Sequence, residues 1–259
     1  MPPLAPGLPA LLIAHPGHEL RVHGWLERCR PVVFVMTDGS GHDGDSRLPS
    51  TQRVLARAGA SAGCVFGRFT DADVYAAILE RRHDVFTGVA DEIADALIGQ
   101  GVTHLVADAA EGYNPTHDLC RYIADVAALR AGLSRDVDSG NFEFDLVTAP
   151  SDRSNDGAIT IDLDAAALAR KLEAARGYPE LTGEVDAALA QWGADAFRRE
   201  SFRRVSPAIA WHDLVDAPPF YERHGEQRQR EGTYERVVRY HEHVRPLRDA
   251  LRGHALTPR

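Results

Sequence analysis

Residues 11–26, LLIAHPGHELRVHGWL, begin as an apolar run that stops at a histidine, a proline and a glycine. Such a run before turn-forming residues is typical of a buried strand. After the turn, Leu20, Trp25 and Leu26 can share one face of a helix. A second apolar run, PVVFVMT at 31–37, is typical of a strand that is covered on both faces. The order strand, helix, strand predicts a parallel pair.

The same alternation continues along the chain. Short strands are predicted at 64–66, 104–107 and 142–149, and helices at 84–98 and 115–131. This order predicts an α/β fold with a Rossmann-like, doubly wound, mostly parallel sheet. Residues 158–163, AITIDL, favour one more strand, and the rest is mainly helical. Since no long flexible linker intervenes, we expect one domain over 1–259, with a core at about 8–150 and a helical C-terminal extension at about 151–259.

Composition narrows the class of protein. The 259 residues are 44% hydrophobic and 26% charged, which are ordinary globular values. The net charge of −9 argues against nucleic acid as a partner, because an acidic surface repels phosphate backbones. Three isolated cysteines argue against a disulfide framework, and the N-terminal stretch lacks a basic segment and an apolar run long enough for a membrane helix. We therefore expect a cytoplasmic protein with no membrane partner.

Three histidines are predicted to meet at one edge of the sheet. Ligands of doubly wound folds bind outside the carboxyl ends of the strands. His15 and His18 follow the first strand, and His117 follows the fourth. Each of them alone could be structural. Three imidazoles from two loops, however, form a three-ligand metal site with an open position, as a hydrolytic zinc centre requires, so we predict Zn²⁺ here; Fe²⁺ also suits three histidines.

Three motifs in register resemble those of a known family. AHPGHE at 14–19, TDG at 37–39 and NPTH at 114–117 are similar to AHPDDE, TDG and HPDH of the PIG-L/LmbE-like zinc-dependent N-deacetylases, over roughly the first 150 residues. The resemblance implies an enzyme that removes acyl groups from amino sugars. It matches His15 and His117 to zinc ligands of the family, and it places His18 where the family has an aspartate ligand. Histidine and aspartate are both good zinc donors.

The acid–base residues of the family motifs are replaced in this chain. Gly17 stands at the position of the general-base aspartate, and Asn114 and Thr116 stand at the first histidine and the aspartate of HPDH. Glycine cannot transfer a proton. Glu111 is the nearest replacement in sequence, on the loop after the fourth strand, and we predict it as the base. The other predicted catalytic residues are Asp38 and Asn114, and the other candidate bases at this edge are Asp108 and Glu19.

The sequence thus predicts a metal-dependent hydrolase, an amidase or N-deacetylase acting on linear amide C–N bonds. Its expected partner is a small molecule, an N-acyl amino sugar or a similar amide, which it would deacylate through a zinc-activated water. Two alternatives stay open. One is a metal-binding or carbohydrate-binding homologue without catalysis, which Gly17 and Asn114 motivate. The other is a non-hydrolytic metalloenzyme that uses the three histidines.

Overall fold

A computed structural model describes residues 7–41, 44–133, 139–147, 158–205 and 217–257. The strands in these ranges are β1 (Leu8–Ile13), β2 (Val32–Thr37), β3 (Ser61–Phe69), β4 (Val102–Asp108), β5 (Gly140–Phe144), β6 (Ile159–Asp162) and β7 (Arg199–Arg204). They form one sheet in the order β3-β2-β1-β4-β5-β7-β6. The first five strands pair in parallel, and β7 runs antiparallel to both of its neighbours.

The α-helices of the described ranges are α1 (His23–Cys29), α2 (Leu48–Ala58), α3 (Asp71–Leu79), α4 (His83–Gly99), α5 (Pro115–Arg130), α6 (Ala165–Arg176), α7 (Thr182–Trp192), α8 (Phe220–Arg230) and α9 (Arg245–Leu256). A short 3-10 helix, His18–Val22, joins β1 to α1, and a π-helical turn, Tyr240–Val244, leads into α9. In the part of the chain that the structure covers, no helix has the length and apolar character needed to cross a bilayer.

The sheet is buried on both faces, which explains its continuous apolar strands. Leu11 and Ile13 of β1 belong to a core shared with α1, α2 and α6. Ala10 and Leu12 point to the opposite face and pack in a core with α3, α4, α5 and α9. The predicted α/β doubly wound fold is therefore confirmed.

The C-terminal extension is joined to the sheet and to both cores. β7 pairs with β5, and its Glu200 side chain is fully buried. That carboxylate accepts hydrogen bonds from the backbone N–H groups of Gly24 and Trp25 at the start of α1, and from Lys171 Nζ of α6. Leu251 of α9 is also fully buried. The single-domain organisation of residues 1–259 stays a prediction.

Some element boundaries differ from the sequence-based prediction. β3 spans nine residues instead of the predicted 64–66. Its glycines and its arginine have low strand propensity, so the sequence pattern does not show the full length of this edge strand. The strand predicted at 142–149 ends at Phe144; the N–H groups of Leu146 and Val147 bind the Glu111 carboxylate, and 148–149 lie outside the described residues. β7, RESFRR, is a strand within the C-terminal part that the sequence predicts to be mainly helical. Its charges are compatible with a strand because Arg203 pairs with Glu143 of β5.

Candidate metal centre

The three predicted histidines lie together at the point where the strand order changes direction. β1 stands between β2 and β4, so the loops after β1 and β4 leave the sheet on either side of one crevice. His15 follows β1 in the turn, His18 begins the 3-10 helix, and His117 lies in the first turn of α5. Sequence order alone separates His18 from His117 by about a hundred residues, and only the sheet brings them together.

The three imidazole rings form a compact triangle. The ring centroids are 5.3 Å apart for His15 and His18, 5.0 Å for His15 and His117, and 4.6 Å for His18 and His117. Zinc binds imidazole nitrogen at about 2.0–2.1 Å with tetrahedral angles, which places the ring centres of its ligands roughly 5 Å apart. The triangle therefore has the dimensions of three imidazoles on one ion.

Two of the rings are held through their Nδ1 atoms. His15 Nδ1 lies 2.8 Å from Thr37 Oγ1 at the end of β2 and 2.9 Å from Asp71 Oδ1 at the start of α3. His18 Nδ1 lies 2.8 Å from Asp108 Oδ2 at the end of β4. A histidine that donates its Nδ1–H in this way presents the lone pair of Nε2, which is the arrangement found around protein-bound metals.

The ring nitrogens that remain are available as ligands. Among the described residues, His15 Nε2 and His117 Nδ1 are buried and have no hydrogen-bond partner. Burial, and next the neighbouring His15 ring, hold the pKa of His18 well below its usual range. Burial and the other two rings have the same effect on the pKa of His117. Both rings are therefore neutral at pH 7, the protonation state that metal coordination requires.

The residues fit a divalent ion in type, spacing and free nitrogens. As they stand, no three histidine, cysteine, aspartate or glutamate side chains in the described ranges form a group that could hold a metal ion. The rings meet edge to face, at interplanar angles of 81°, 63° and 86°. Metal binding would therefore require a change in the geometry of these side chains.

The three predicted catalytic residues lie on loops at this edge of the sheet, and each accepts hydrogen bonds from backbone N–H groups. Glu111 accepts the N–H groups of Leu146 at 2.7 Å and Val147 at 3.1 Å. Asp38 Oδ1 accepts the N–H of Ser40 two residues on, at 2.9 Å. Asn114 caps α5 by accepting the N–H of Thr116 at 2.8 Å. Their assignment as catalytic residues stays a prediction.

The backbone conformation of Gly17 disfavours any side chain at this position. Its φ is +107°, a conformation that side chains other than glycine rarely adopt. A Cβ atom built there would lie 2.4 Å from Cδ1 of Leu181, just before α7. An aspartate at residue 17 would therefore require both backbone strain and displacement of Leu181. The loop after β1 is thus shaped for glycine.

Two buried carboxylates near the triangle are held by backbone donors. Asp108 accepts the N–H of Ala14 at 2.8 Å, and Glu19 accepts the N–H of Gly17 at 2.7 Å. Burial raises the pKa of each carboxyl to about 7. Asp108 thus supports both the backbone before His15 and the ring of His18. Glu19 fixes the glycine turn between the two histidines.

Sequence reasoning missed Asp71, which contacts His15 from the first residue of α3. Asp71 Oδ2 also accepts the N–H of Gly41 at 2.6 Å. Burial opposes its ionisation, but hydrogen bonds from His15, Thr37 and Gly41 outweigh this effect and lower the pKa of Asp71. The available signal was the capping box Thr70-x-x-Asp73, which marks a helix starting at the same sheet edge as the histidines.

Known structures share this fold. The A40926 pseudoaglycone deacetylase Dbv21 matches with a TM-score of 0.56 and 16% identity, over 78% of this chain and 98% of that chain. A triple mutant of a deacetylase of the teicoplanin biosynthetic pathway matches with a TM-score of 0.54 and 16% identity, over 77% and 98%. The zinc inhibited form of teicoplanin deacetylase Orf2 matches with a TM-score of 0.53 and 13% identity, over 76% of this chain and 99% of that chain. The chain thus shares its fold with these three proteins. The chain matches no protein-family model and no curated protein sequence.

A cleft of about 560 Å³ lies beside His18 and His117. Gly17, His18 and His117 form its floor on the sheet side. Its far wall is α7, with Leu181 before that helix and Phe197 after it. A pocket of this size holds a drug-sized organic molecule. Two of the three histidines, His18 and His117, thus line a cleft with room for a small organic molecule.

Asp108 should control how tightly a metal is held. We expect Asp108→Asn to weaken zinc binding about 10- to 100-fold, because a neutral amide replaces the carboxylate that orients His18. Zinc affinity is measured by competition with a chromophoric chelator. Asp84→Asn, at an exposed carboxylate paired with Arg82, is the control and should leave the affinity unchanged. Unchanged affinity in Asp108→Asn would show that Asp108 does not support the site.

Proposed function

We propose that this chain is a metal-dependent amide hydrolase, a divergent relative of the PIG-L/LmbE-like zinc N-deacetylases. Its substrate is an N-acyl amino sugar or a similar amide. The observation that carries the proposal is the triangle of His15, His18 and His117, which has the spacing of three zinc ligands at the switch point of the sheet. The deacetylase fold of the known structures supports it.

His15, His18 and His117 would hold Zn²⁺, and Fe²⁺ is the second candidate for the same ligands. When bound, such an ion supplies polarisation of the amide carbonyl and a lowered pKa for water. In the overall reaction, the water oxygen bonds to the carbonyl carbon and the C–N bond breaks. The products are a carboxylate and an amine, and the amine nitrogen takes up a proton.

Glu111 is the proposed base in this reaction, with Asp38 and Asn114 as accessory residues. A base must accept the proton of water as the bond to carbon forms. Glu111 lies on the loop that joins β4 to α5, and His117 lies in the first turn of that helix. Its hydrogen bonds to Leu146 and Val147 fix the carboxylate on this loop. A fixed carboxylate can serve catalysis or can merely hold the loop, and a substitution distinguishes the two.

Glu111→Gln should reduce kcat at least about 100-fold and change KM little, because it removes the proton acceptor and keeps the shape of the side chain. Steady-state kinetics with the best substrate of a panel provide the measurement. If Glu111 only anchors residues 146–147, the variant will instead unfold at lower temperature and retain its kcat. In that case another carboxylate at this edge carries the proton.

The proposed function is tested by metal analysis and an activity screen on the same preparation. Protein purified without chelators should contain close to one divalent ion per chain, and it should release free amine from a panel of N-acyl amino sugars. Chelation should stop the release, and added Zn²⁺ should restore it. Failure to bind any metal would refute the proposal. Metal and sugar binding without amine release would instead establish a binding protein.

A further inference from the structure

The apolar face of α7 is unusual because it does not enter either core. Four residues share this face, at positions 185, 188, 189 and 192, and Leu181 precedes them with the same periodicity. No residue of α7 is fully buried. Helices of soluble proteins normally bury such a stripe, so an apolar face that stays open marks a binding surface.

This face is the wall of the cleft above the histidines. The side chains that it contributes to the cleft are Leu181, Val185, Ala188, Leu189 and Trp192. Phe197 and Leu146 continue the apolar lining, and the polar residues that line the cleft include His18, His117, Lys171, Glu184 and Gln191. Arg21 stacks on Trp192 and Phe197, with its guanidinium carbon 6.0 and 5.9 Å from the two ring centres. An extended hydrophobic group would be surrounded there by apolar side chains and would end at the imidazoles.

A second pocket lies on the other side of Tyr113 and has a different character. It measures about 240 Å³, and its walls include Tyr75, Tyr221, His224 and Arg236. Tyr113 lines both pockets, and it stacks on Phe220 at 4.8 Å with the rings nearly parallel. Aromatic rings with hydroxyl, imidazole and guanidinium groups suit a polar ring better than an alkyl chain. The two pockets therefore differ in the chemistry that they accept.

We propose that the apolar cleft binds the acyl chain of the substrate. The protein is then an N-deacylase that prefers medium or long acyl groups to acetyl. This inference rests on the proposed function. The acyl chain is attached to the carbonyl carbon that must lie beside the imidazoles, and the cleft begins at those imidazoles. The sugar-like amine then lies toward Tyr113 and the aromatic pocket.

The test compares three amides on the zinc-loaded protein: N-acetylglucosamine, N-octanoylglucosamine and the octyl glycoside of N-acetylglucosamine. Transfer of one methylene from water to an apolar site favours binding about fourfold. We therefore expect kcat/KM to be at least about tenfold higher for N-octanoylglucosamine than for N-acetylglucosamine. The octyl glycoside carries its alkyl chain on the other side of the amide, so its kcat/KM should exceed that of N-acetylglucosamine by much less.

A substitution in the cleft wall supplies the structural control. Ala188→Trp fills the cleft from α7, and it should remove most of the preference for octanoyl while leaving the zinc content and the thermal unfolding unchanged. Ala187→Trp adds the same indole on the same helix, at an exposed residue that does not line the cleft, and it should keep the preference. Equal values of kcat/KM for octanoyl and acetyl substrates would overturn the assignment. So would a gain that is confined to the octyl glycoside.

Binding to chelator-treated protein separates this inference from the proposed function. Calorimetry should show tighter binding of N-octanoylglucosamine than of N-acetylglucosamine, and Ala188→Trp should abolish the difference. If that result holds while no amide is hydrolysed by the zinc-loaded protein, the hydrolase proposal fails and the acyl cleft stands. If hydrolysis occurs without any chain-length preference in rate or binding, the acyl cleft fails and the hydrolase stands.

Discussion

His117→Ala should bind no stoichiometric zinc and should lose at least about three orders of magnitude in kcat/KM. His117 contributes one of three imidazoles in the triangle, and two remaining protein ligands hold zinc far more weakly than three. Polarisation of the carbonyl and activation of water by the metal contribute several kcal/mol to catalysis, which corresponds to this loss in rate. Metal content by mass spectrometry and kcat/KM on the best amide provide the measurements.

The fold should survive His117→Ala, because this ring is surrounded by other imidazoles and the cleft and is not part of the apolar cores. His15→Ala should behave in the same way. The matched control is His83→Ala, at an exposed histidine in the first turn of α4, which should retain both metal and activity. A His117→Ala protein that kept one tightly bound zinc per chain would contradict the ligand assignment.

The largest expected effect on stability comes from Glu200→Ala. The carboxylate of Glu200 is fully buried, and at 2.8 Å it accepts hydrogen bonds from the N–H groups of Gly24 and Trp25 and from Lys171 Nζ. Its removal leaves the Lys171 ammonium uncompensated in the interior and the first turn of α1 without its acceptor. We expect a loss of about 3–5 kcal/mol in the free energy of unfolding. The corresponding fall in Tm is roughly 6–20 °C.

Asp162→Ala is the matched control for Glu200→Ala. Asp162 pairs with Arg199 on the adjoining strands, and about half of each side chain is exposed, so its removal should cost at most about 1 kcal/mol. Chemical denaturation gives both free energies. If Glu200→Ala were no more destabilising than Asp162→Ala, the extension would not be fixed to α1 through this residue. A second unfolding transition would also contradict the predicted single domain.

The sequence by itself determined the α/β class and the candidate ligands. The apolar run at 11–14, and residues 32–36 within the run at 31–37, can only be covered on both faces, because each of these residues is hydrophobic. This requires helices on both sides of the sheet. The positions of His15 and His18 after the first predicted strand, and of His117 in the segment after the fourth, were sufficient to place all three at one edge. These inferences hold because strand periodicity and parallel order are local or topological properties.

Other features depended on contacts between residues far apart in sequence, and only the tertiary structure decided them. The residues of β7 have no strand pattern of their own. β7 is a strand because Arg203 forms an ion pair with Glu143, and because Glu200 pairs with Lys171 and accepts hydrogen bonds from α1. Asp71 reaches His15 from beyond β3, and Leu181 fills the space that a side chain at Gly17 would need. The apolar stripe of α7 has a pattern like that of a core helix, and its position above the histidines leaves it open as the wall of a cleft. Burial and pairing are properties of the packed chain, so composition and periodicity cannot supply them.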